Sequence, residues 1–184
     1  MILFMGVAGS GKSLQGKLLA DRLALPWLST GEFLRMMIAG QRRKEMLEGK
    51  LLADNEIIGL VQKIFNVVGV QEEFILDGFP RTTAQADWLL GQAKHGQLGI
   101  TAVVHLKASE AAVLKRLLSR GRQDDTNKAI KERFEEYEAA IKPIIGQFMV
   151  AGVPILDIDA EREPAVIHQE IVSRLEAITN VHAD

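Results

Sequence analysis

Near its start the chain carries Gly6-Val7-Ala8-Gly9-Ser10-Gly11-Lys12-Ser13, which matches the pattern G-x-x-x-x-G-K-[ST]. The apolar run Ile2–Met5 before it predicts a buried strand, and the periodicity of Lys12–Leu25 after it predicts a helix. Glycines let backbone N–H groups curl inward, and the helix N-terminus adds unpaired amides and a positive dipole end. The arrangement predicts a loop that binds phosphate groups. The plainer interpretation is a glycine-rich turn with an exposed lysine.

Two side chains of this loop and one acid elsewhere are suited to a bound polyphosphate. Lys12 would place a point charge beside the terminal phosphates, and Ser13 could reach a magnesium ion. The apolar run Phe74–Leu76 ends in Asp77, an acid that can hold Mg²⁺ through water beside Ser13. By itself Asp77 is equally compatible with capping a helix. The motif indicates a nucleotide but no reaction, since GTPases, ATPases and small-molecule kinases all use it.

The rest of the chain alternates short apolar runs with longer segments of helical period. The apolar runs lack polar alternation, so they predict a parallel sheet that is covered on both faces. The alternation predicts a doubly wound α/β fold with a five-stranded parallel sheet. The predicted strands are Ile2–Met5, Trp27–Leu28, Phe74–Leu76, Ala102–Leu106 and Pro154–Ile158. The predicted helices are Lys12–Leu25, Thr30–Ala39, Gln41–Glu48, Asp54–Val68, Thr82–Lys94, Glu110–Ser119, Asp125–Val150 and Pro164–Ile178, with Ser109 and Asp125 as N-caps.

Composition restricts the possible partners. The 184 residues suffice for one domain with a sizeable core. There is no cysteine, which excludes disulfides, thiolate zinc sites and a cysteine nucleophile. A formal net charge of -2 gives no general attraction to nucleic acid or to an anionic membrane. No window approaches the roughly 20 apolar residues of a spanning helix, and the first residues lack a basic leader. We expect a cytoplasmic protein with no nucleic-acid partner and no membrane partner.

Two segments interrupt the alternation and predict parts that project from the core. Residues 30–69 contain three predicted helices and no strand, and residues 119–126 form a charged turn between helices. The remaining residues, 1–29, 70–118 and 127–184, form the predicted core of a single domain. Lobes in these two places are suited to close over substrates and to exclude water.

Three further motifs carry a resemblance to a known family. They are Leu28-Ser29-Thr30-Gly31-Glu32-Phe33-Leu34-Arg35, Leu76-Asp77-Gly78-Phe79-Pro80-Arg81-Thr82 and Gly121-Arg122-Gln123-Asp124-Asp125. Their order and spacing closely resemble those of the adenylate kinases, within the nucleoside monophosphate kinases, over nearly the whole chain. The resemblance implies a monomer that transfers the γ-phosphoryl group of Mg-ATP to AMP, giving two ADP. It implies that residues 30–69 form the AMP-binding lobe and residues 119–126 a short lid without zinc.

The resemblance also implies the residues of each site. The ATP phosphates would be wrapped by Gly9, Ser10, Gly11, Lys12, Ser13 and Leu14, and the ATP adenine flanked by Arg116 and Arg162. The AMP phosphate would be held by Arg35 and Arg81 and its adenine read by Thr30 and Gln85, in a pocket lined by Lys50, Leu51, Leu52, Gly78, Phe79 and Pro80. Arg120 would cover ATP from the lid, Arg122 and Arg133 would bridge the transferring group and AMP, and Lys12 and Arg81 would complete the catalytic set. Asp77 would anchor the magnesium shell, and Asp124 and Asp125 would pin the closed lid.

The chemistry of phosphoryl transfer is consistent with this set of cations. Two polyanions must approach each other, charge spreads over the equatorial oxygens, and little general base is needed. Permanently charged guanidiniums around a dry site supply the required stabilisation. Taken singly, Arg116 and Arg133 could instead form ion pairs along their predicted helices.

The chain departs from the family pattern in three places. Ser13-Leu14 stands where the family usually has Gly-Thr, so Ser13 would have to replace a hydroxyl that normally touches phosphate. The stretch from Arg35 to Asp54 is shorter than usual and implies a trimmed AMP lobe, and Glu32 replaces an aspartate. Backbone amides do most of the phosphate binding, so we expect altered nucleotide affinity and not its loss.

Two other functions compete with this prediction. A kinase of pyrimidine monophosphates, or one of broad specificity, is the nearest, but Thr30 and Gln85 favour adenine because an amide can donate and accept at the edge of the base. A nucleotide-binding sensor with little turnover is favoured only by Leu14, and it would have no use for the full arginine set.

Overall fold

A computed structural model describes residues 1–37, 53–68, 72–121 and 125–181. Within these residues, five parallel strands form one sheet in the order β2-β3-β1-β4-β5. The strands are β1 (Ile2–Gly6), β2 (Trp27–Ser29), β3 (Ile75–Asp77), β4 (Ala102–Lys107) and β5 (Ile155–Asp159). The predicted doubly wound parallel sheet is therefore confirmed.

Helices connect the strands and cover both faces of the sheet. They are α1 (Lys12–Leu23), α2 (Thr30–Met37), α3 (Asp54–Val68), α4 (Thr83–Lys94), α5 (Glu110–Arg120), α6 (Asn127–Val150) and α7 (Pro164–Val181). In the described part of the chain no helix is long and apolar enough to cross a membrane.

The core lies on the two faces of the sheet because successive strand side chains point in opposite directions. Leu3 and Met5 of β1 point to one face, where they pack with buried residues of α3, α4 and α6. Ile2 and Phe4 point to the other, where α1 and α7 cover them. Strand β1, with its first four residues buried, therefore lies in the middle of the sheet and leads directly into the glycine-rich loop.

Strand register determines where the site lies. Phe4 pairs with Asp77 of β3, and Met5 pairs with His105 of β4. The carboxyl ends of all five parallel strands thus lie at one edge of the sheet, and β3 and β4 flank β1 on opposite sides. This is the position at which open α/β sheets bind ligands.

Most predicted element bounds agree with the structure to within a few residues. Helix α3 has the predicted bounds, and Ser109 caps α5 by accepting a hydrogen bond from the backbone N–H of Ala112. The prediction of Asp125 as an N-cap is wrong, because the hydroxyl of Thr126 caps α6 and the Asp125 carboxylate pairs with Arg120 instead. The predicted helix Gln41–Glu48 and the last residues of Thr30–Ala39 lie outside the described residues.

Candidate active site

Gly9 and Gly11 of the glycine-rich loop adopt left-handed backbone conformations. Gly9 has φ 85°, and a Cβ there would come within 2.8 Å of Cγ of Leu117. Gly11 caps α1 with φ 100° and has open space around it, so backbone conformation alone requires glycine there. The loop between them carries Ser10, whose buried hydroxyl has no hydrogen-bond partner among the described residues. A buried polar atom of this kind is suited to an anionic ligand of the loop.

Lys12 bends back over the loop that precedes it. Its Nζ donates hydrogen bonds to the carbonyl oxygens of Gly6 at 2.6 Å and Val7 at 2.9 Å. Burial lowers the pKa of Lys12 to about 8, and repulsion from Arg81 and Arg120 acts in the same direction, whereas Asp77 opposes the shift. The amine is therefore held among cations and would gain favourable interactions from a bound anion.

Ser13 and Asp77 meet at the base of the loop, as the sequence predicts. The Ser13 hydroxyl donates to Oδ2 of Asp77 at 2.7 Å, and Asp77 ends β3 with 2% of its surface exposed. A hydroxyl and a carboxylate are hard oxygen donors, which fit Mg²⁺ as one or two protein groups beside waters and phosphates. In the described ranges no group of three or more His, Asp or Glu could hold a metal by itself.

The segment after β3 places Arg81 within electrostatic range of Asp77. Gly78 has φ 85° and is followed by a cis Phe79-Pro80 bond, with both of these residues buried. Nε of Arg81 donates to the Gly78 carbonyl oxygen at 2.8 Å. The Thr30 hydroxyl donates to that same oxygen at 2.9 Å, so Thr30 helps to shape this segment.

Arg81 and Arg35 converge above Gly31. A Cβ on Gly31 would lie 3.5 Å from Nη1 of Arg35 and 3.6 Å from Nη2 of Arg81. Desolvation within the cleft lowers the pKa of Arg81, as does repulsion from Arg133 and Arg35, while Asp77 raises it. A guanidinium stays charged under such conditions, so these side chains form a permanently positive region.

A second positive region joins α5 to α6. Arg120 makes a bidentate ion pair with Asp125, from Nε to Oδ2 at 2.9 Å and from Nη2 to Oδ1 at 2.7 Å. Arg133 of α6 approaches the same carboxylate at 4.0 Å, and the side chain of Asp125 is fully buried. The Asp125 carboxylate therefore holds two of the predicted catalytic arginines near each other.

Gln85 lies at the first turn of α4 and is buried, with 3% of its surface exposed. Its Oε1 accepts from the backbone N–H of Arg81 at 2.8 Å, and its Nε2 donates to Oδ1 of Asp54 at 2.7 Å. Sequence reasoning did not assign Asp54 to the site. The only signal was an acid at the start of a predicted helix, where the helix dipole is already a sufficient explanation.

Arg116 and Arg162 contact the same loop after β5. Nη2 of Arg116 donates to the Ala160 carbonyl oxygen at 2.8 Å, so no ion pair along the helix is needed to explain it. The Arg162 side chain pairs with Glu170 and Asp159.

Leu14 is half exposed at the start of α1. Five residues predicted for the site or its lid lie outside the described residues: Lys50, Leu51, Leu52, Arg122 and Asp124.

Comparison with known proteins identifies the family. The adenylate kinase family model matches residues 4–153. An adenylate kinase of Corynebacterium urealyticum is 36% identical over 166 residues, covering 87% of this chain and 90% of the relative. One of Oenococcus oeni is 33% identical over 178 residues, covering 92% and 94%. One of Prochlorococcus marinus is 35% identical over 158 residues, covering 83% and 84%. The chain belongs to the adenylate kinase family.

The activity follows from this membership. As an adenylate kinase the chain is a phosphotransferase that moves the γ-phosphoryl group of ATP to AMP and forms two ADP, and the family binds these two nucleotides as substrates. The comparisons do not favour a pyrimidine-specific kinase or a sensor with little turnover.

Proposed function

We propose that the described site holds the two substrates of adenylate kinase on either side of Asp77. The observation that carries the proposal is that five cations from different parts of the chain lie within electrostatic range of one another. They are Lys12, Arg35, Arg81, Arg120 and Arg133. Asp77 and Asp125 offset only part of the repulsion within this cluster, so a strongly anionic ligand would stabilise it further.

On the ATP side, the loop from Gly9 to Leu14 wraps the phosphates. Its backbone N–H groups and Lys12 contact the β- and γ-phosphates, and Arg120 covers them from the lid. Arg116 flanks the adenine. Arg162 contributes through its backbone, since its guanidinium is paired with Glu170.

On the AMP side, Arg35 and Arg81 bind the phosphate because their guanidiniums already converge over Gly31. Gln85 binds the adenine through the second N–H of Nε2 and the second lone pair of Oε1, which its two protein partners leave unused. The Thr30 hydroxyl donates its proton to the Gly78 carbonyl oxygen, so it can contact the adenine only as a hydrogen-bond acceptor. The residues expected to complete this pocket are Lys50, Leu51, Leu52, Gly78, Phe79 and Pro80.

Mg²⁺ is the cofactor in this proposal, and Ser13 and Asp77 hold it, largely through water. When bound there, the ion would supply positive charge that offsets the charge developing on the phosphate groups. Arg122 and Arg133 bridge the transferring group and AMP.

Residues 30–69 form the AMP lobe and residues 119–126 form the lid. Both cover a core of residues 1–29, 70–118 and 127–184. A monomer in the cytoplasm, without nucleic-acid or membrane partners, completes the proposal.

Parallel assays of ADP formation from Mg-ATP test the substrates. The acceptors are AMP, CMP, UMP and GMP, with a water-only control, and one AMP reaction contains EDTA in excess of magnesium. We expect rapid ADP formation with AMP and magnesium together, and loss of at least 90% of the rate with EDTA. Faster transfer to another monophosphate would contradict the assigned base site, and full activity in EDTA would contradict the role of Asp77 and Ser13.

Replacement of Arg81 tests the phosphate site. Arg81→Ala removes a guanidinium from the convergent pair over Gly31, so we expect kcat/KM for AMP to fall by roughly 10²–10⁴-fold. Arg22→Ala is the matched control, because Arg22 is an exposed arginine that pairs with Glu176 at 3.5 Å. Similar kinetics for the two variants would overturn the assignment of Arg81.

A further inference from the structure

The Gln85 amide is held between two partners of opposite hydrogen-bonding type. The backbone N–H of Arg81 donates to Oε1 at 2.8 Å, and Nε2 donates to Oδ1 of Asp54 at 2.7 Å. A backbone N–H can only donate, and an ionised carboxylate can only accept. Since Gln85 is buried, water does not compete for these positions. The amide therefore has one orientation. A flipped amide would place its NH2 group against the N–H of Arg81 and its oxygen against the carboxylate of Asp54, so both hydrogen bonds would be lost.

Asp54 is itself held in place by α4. Oδ1 of Asp54 also accepts from the Thr82 hydroxyl at 2.9 Å, and the same hydroxyl accepts from the backbone N–H of Gln85 at 3.2 Å. Asp54 is the first residue of α3, so these contacts join the first turns of two helices. The carboxylate thus faces Gln85 in a defined geometry.

Packing between the two helices does not require this polar link. Phe65 of α3 stacks against Trp88 of α4 with ring centroids 6.1 Å apart, and Val61, Ile64 and Leu89 are buried nearby in the same core cluster. Apolar contacts therefore already hold α3 against α4. A half-buried carboxylate carries a desolvation cost, which suggests a role for Asp54 beyond packing.

The fixed orientation of Gln85 decides which base edge it can match. After its two protein contacts, the amide retains one N–H on Nε2 and one lone pair on Oε1. An adenine edge offers a ring nitrogen acceptor beside an amino donor, which complements this pair. A hypoxanthine or guanine edge offers a ring N–H beside a carbonyl oxygen, which matches only the flipped amide.

We propose that Asp54 is a positioning residue that locks the Gln85 amide in one orientation. That orientation matches a base with an amino group at this edge and disfavours a base with a carbonyl group at the same position. The inference rests on the proposed role of Gln85 in reading the AMP base. Asp54 acts through Gln85 and need not touch the nucleotide. It deepens the specificity of the AMP site and leaves the ATP site unaffected.

Steady-state kinetics with AMP and IMP as acceptors test the lock, because the two nucleotides differ only at the edge in question. For Asp54→Ala we expect the ratio of kcat/KM for AMP to that for IMP to fall about tenfold, with a higher KM for AMP. KM for ATP stays within twofold, which also reports an intact fold. Asp54→Asn preserves size and one acceptor oxygen, so it gives a smaller fall in the same direction. Glu56→Gln is the matched control, because it removes a negative charge from the same helical turn while Asp54 remains.

A double-mutant cycle separates the lock from the role of Gln85. Gln85→Ala should lower the AMP/IMP ratio, and adding Asp54→Ala should then change it no further. An unchanged ratio in Gln85→Ala would mean that the base is read elsewhere, and both the assignment and the lock would fail. A lowered ratio in Gln85→Ala with unchanged ratios in both Asp54 variants would overturn the lock alone. A lower KM for AMP in Asp54→Ala would also overturn it, since Asp54 would then compete with the base.

Discussion

At the scale of single residues, the site is built from side chains whose hydrogen bonds to the protein set their direction. Lys12 donates to two carbonyls of its own loop, Arg81 donates to Gly78, and Thr30 donates to the same carbonyl. These contacts lower the conformational entropy that substrate binding would otherwise have to remove. They also place cations close together, which adds to the effect of burial in lowering the pKa of Lys12.

The lowered pKa of Lys12 predicts proton uptake on nucleotide binding. The folded protein has a Lys12 pKa of about 8, below the ordinary value of 10.5, so much of the amine is neutral at pH 8.5–9. Bound phosphate favours the charged form and raises this pKa, so binding of Mg-ATP at pH 8.5 should take up roughly half a proton or more. Calorimetry in buffers of different ionisation enthalpy measures the uptake.

The pH dependence and a matched lysine provide the controls. At pH 6.5 Lys12 is already charged, so it contributes no uptake there. Lys12→Met should abolish the uptake at pH 8.5, whereas Lys17→Met should retain it, because Lys17 is an exposed residue of the same helix. Equal uptake at both pH values would contradict the lowered pKa.

At the scale of secondary-structure elements, the start of α6 shows how a tertiary contact changes a local choice. Asp125 and Thr126 are both good N-cap residues, and the sequence alone favours the acid. The carboxylate instead pairs with Arg120 at the end of α5, and the hydroxyl of the next residue caps the helix. A bidentate ion pair is stronger than a cap, so α6 begins two residues later than expected.

Substitution of Asp125 tests this link between α5 and α6. Asp125→Asn leaves Arg120 without its bidentate partner, and we expect a loss of roughly 1–3 kcal/mol in the free energy of unfolding. Thr126→Ala, which removes only the cap, should cost about 1 kcal/mol. Chemical denaturation of the two variants compares them. An Asp125→Asn variant as stable as the original chain would show that the pair contributes nothing to the fold.

At the scale of the whole molecule, the fold gathers positive charge at one edge of the sheet although the chain is slightly acidic. Lys12 comes from α1, Arg35 from α2, Arg81 from the segment after β3, and Arg120 and Arg133 from α5 and α6. Parallel strands bring these elements to the same edge because all their carboxyl ends lie there. The cations repel one another, and Asp77 and Asp125 offset only part of that repulsion.

Inorganic tripolyphosphate should therefore stabilise the whole fold in a salt-dependent manner. It carries the charges of a nucleotide without the base, so binding to this edge should raise Tm by a few degrees at 50 mM salt. The shift should shrink markedly at 500 mM salt, where screening acts over only a few ångströms. Adenosine, which carries no charge, is the matched control. A tripolyphosphate effect that is equal at both salt concentrations would contradict an electrostatic origin.

The sequence by itself determined the sheet, the loop and the approach of Ser13 to Asp77. Those features depend on patterns that span a few residues: apolar runs, glycine spacing and an acid at the end of a strand. The parallel pairing of β1 with β3 then brings Asp77 to Ser13, although the two residues are 64 positions apart.

Only the tertiary structure decided which hydrogen-bond partners the polar side chains of the site have. Asp54 and Gln85 are 31 residues apart, and nothing local distinguishes Asp54 from an ordinary acid at a helix start. Their contact exists because α3 packs on α4 through Phe65 and Trp88, which brings the two first turns together. Side-chain hydrogen bonds depend on distances of a few tenths of an ångström, and those are set by the packing of whole elements, which residue patterns do not specify.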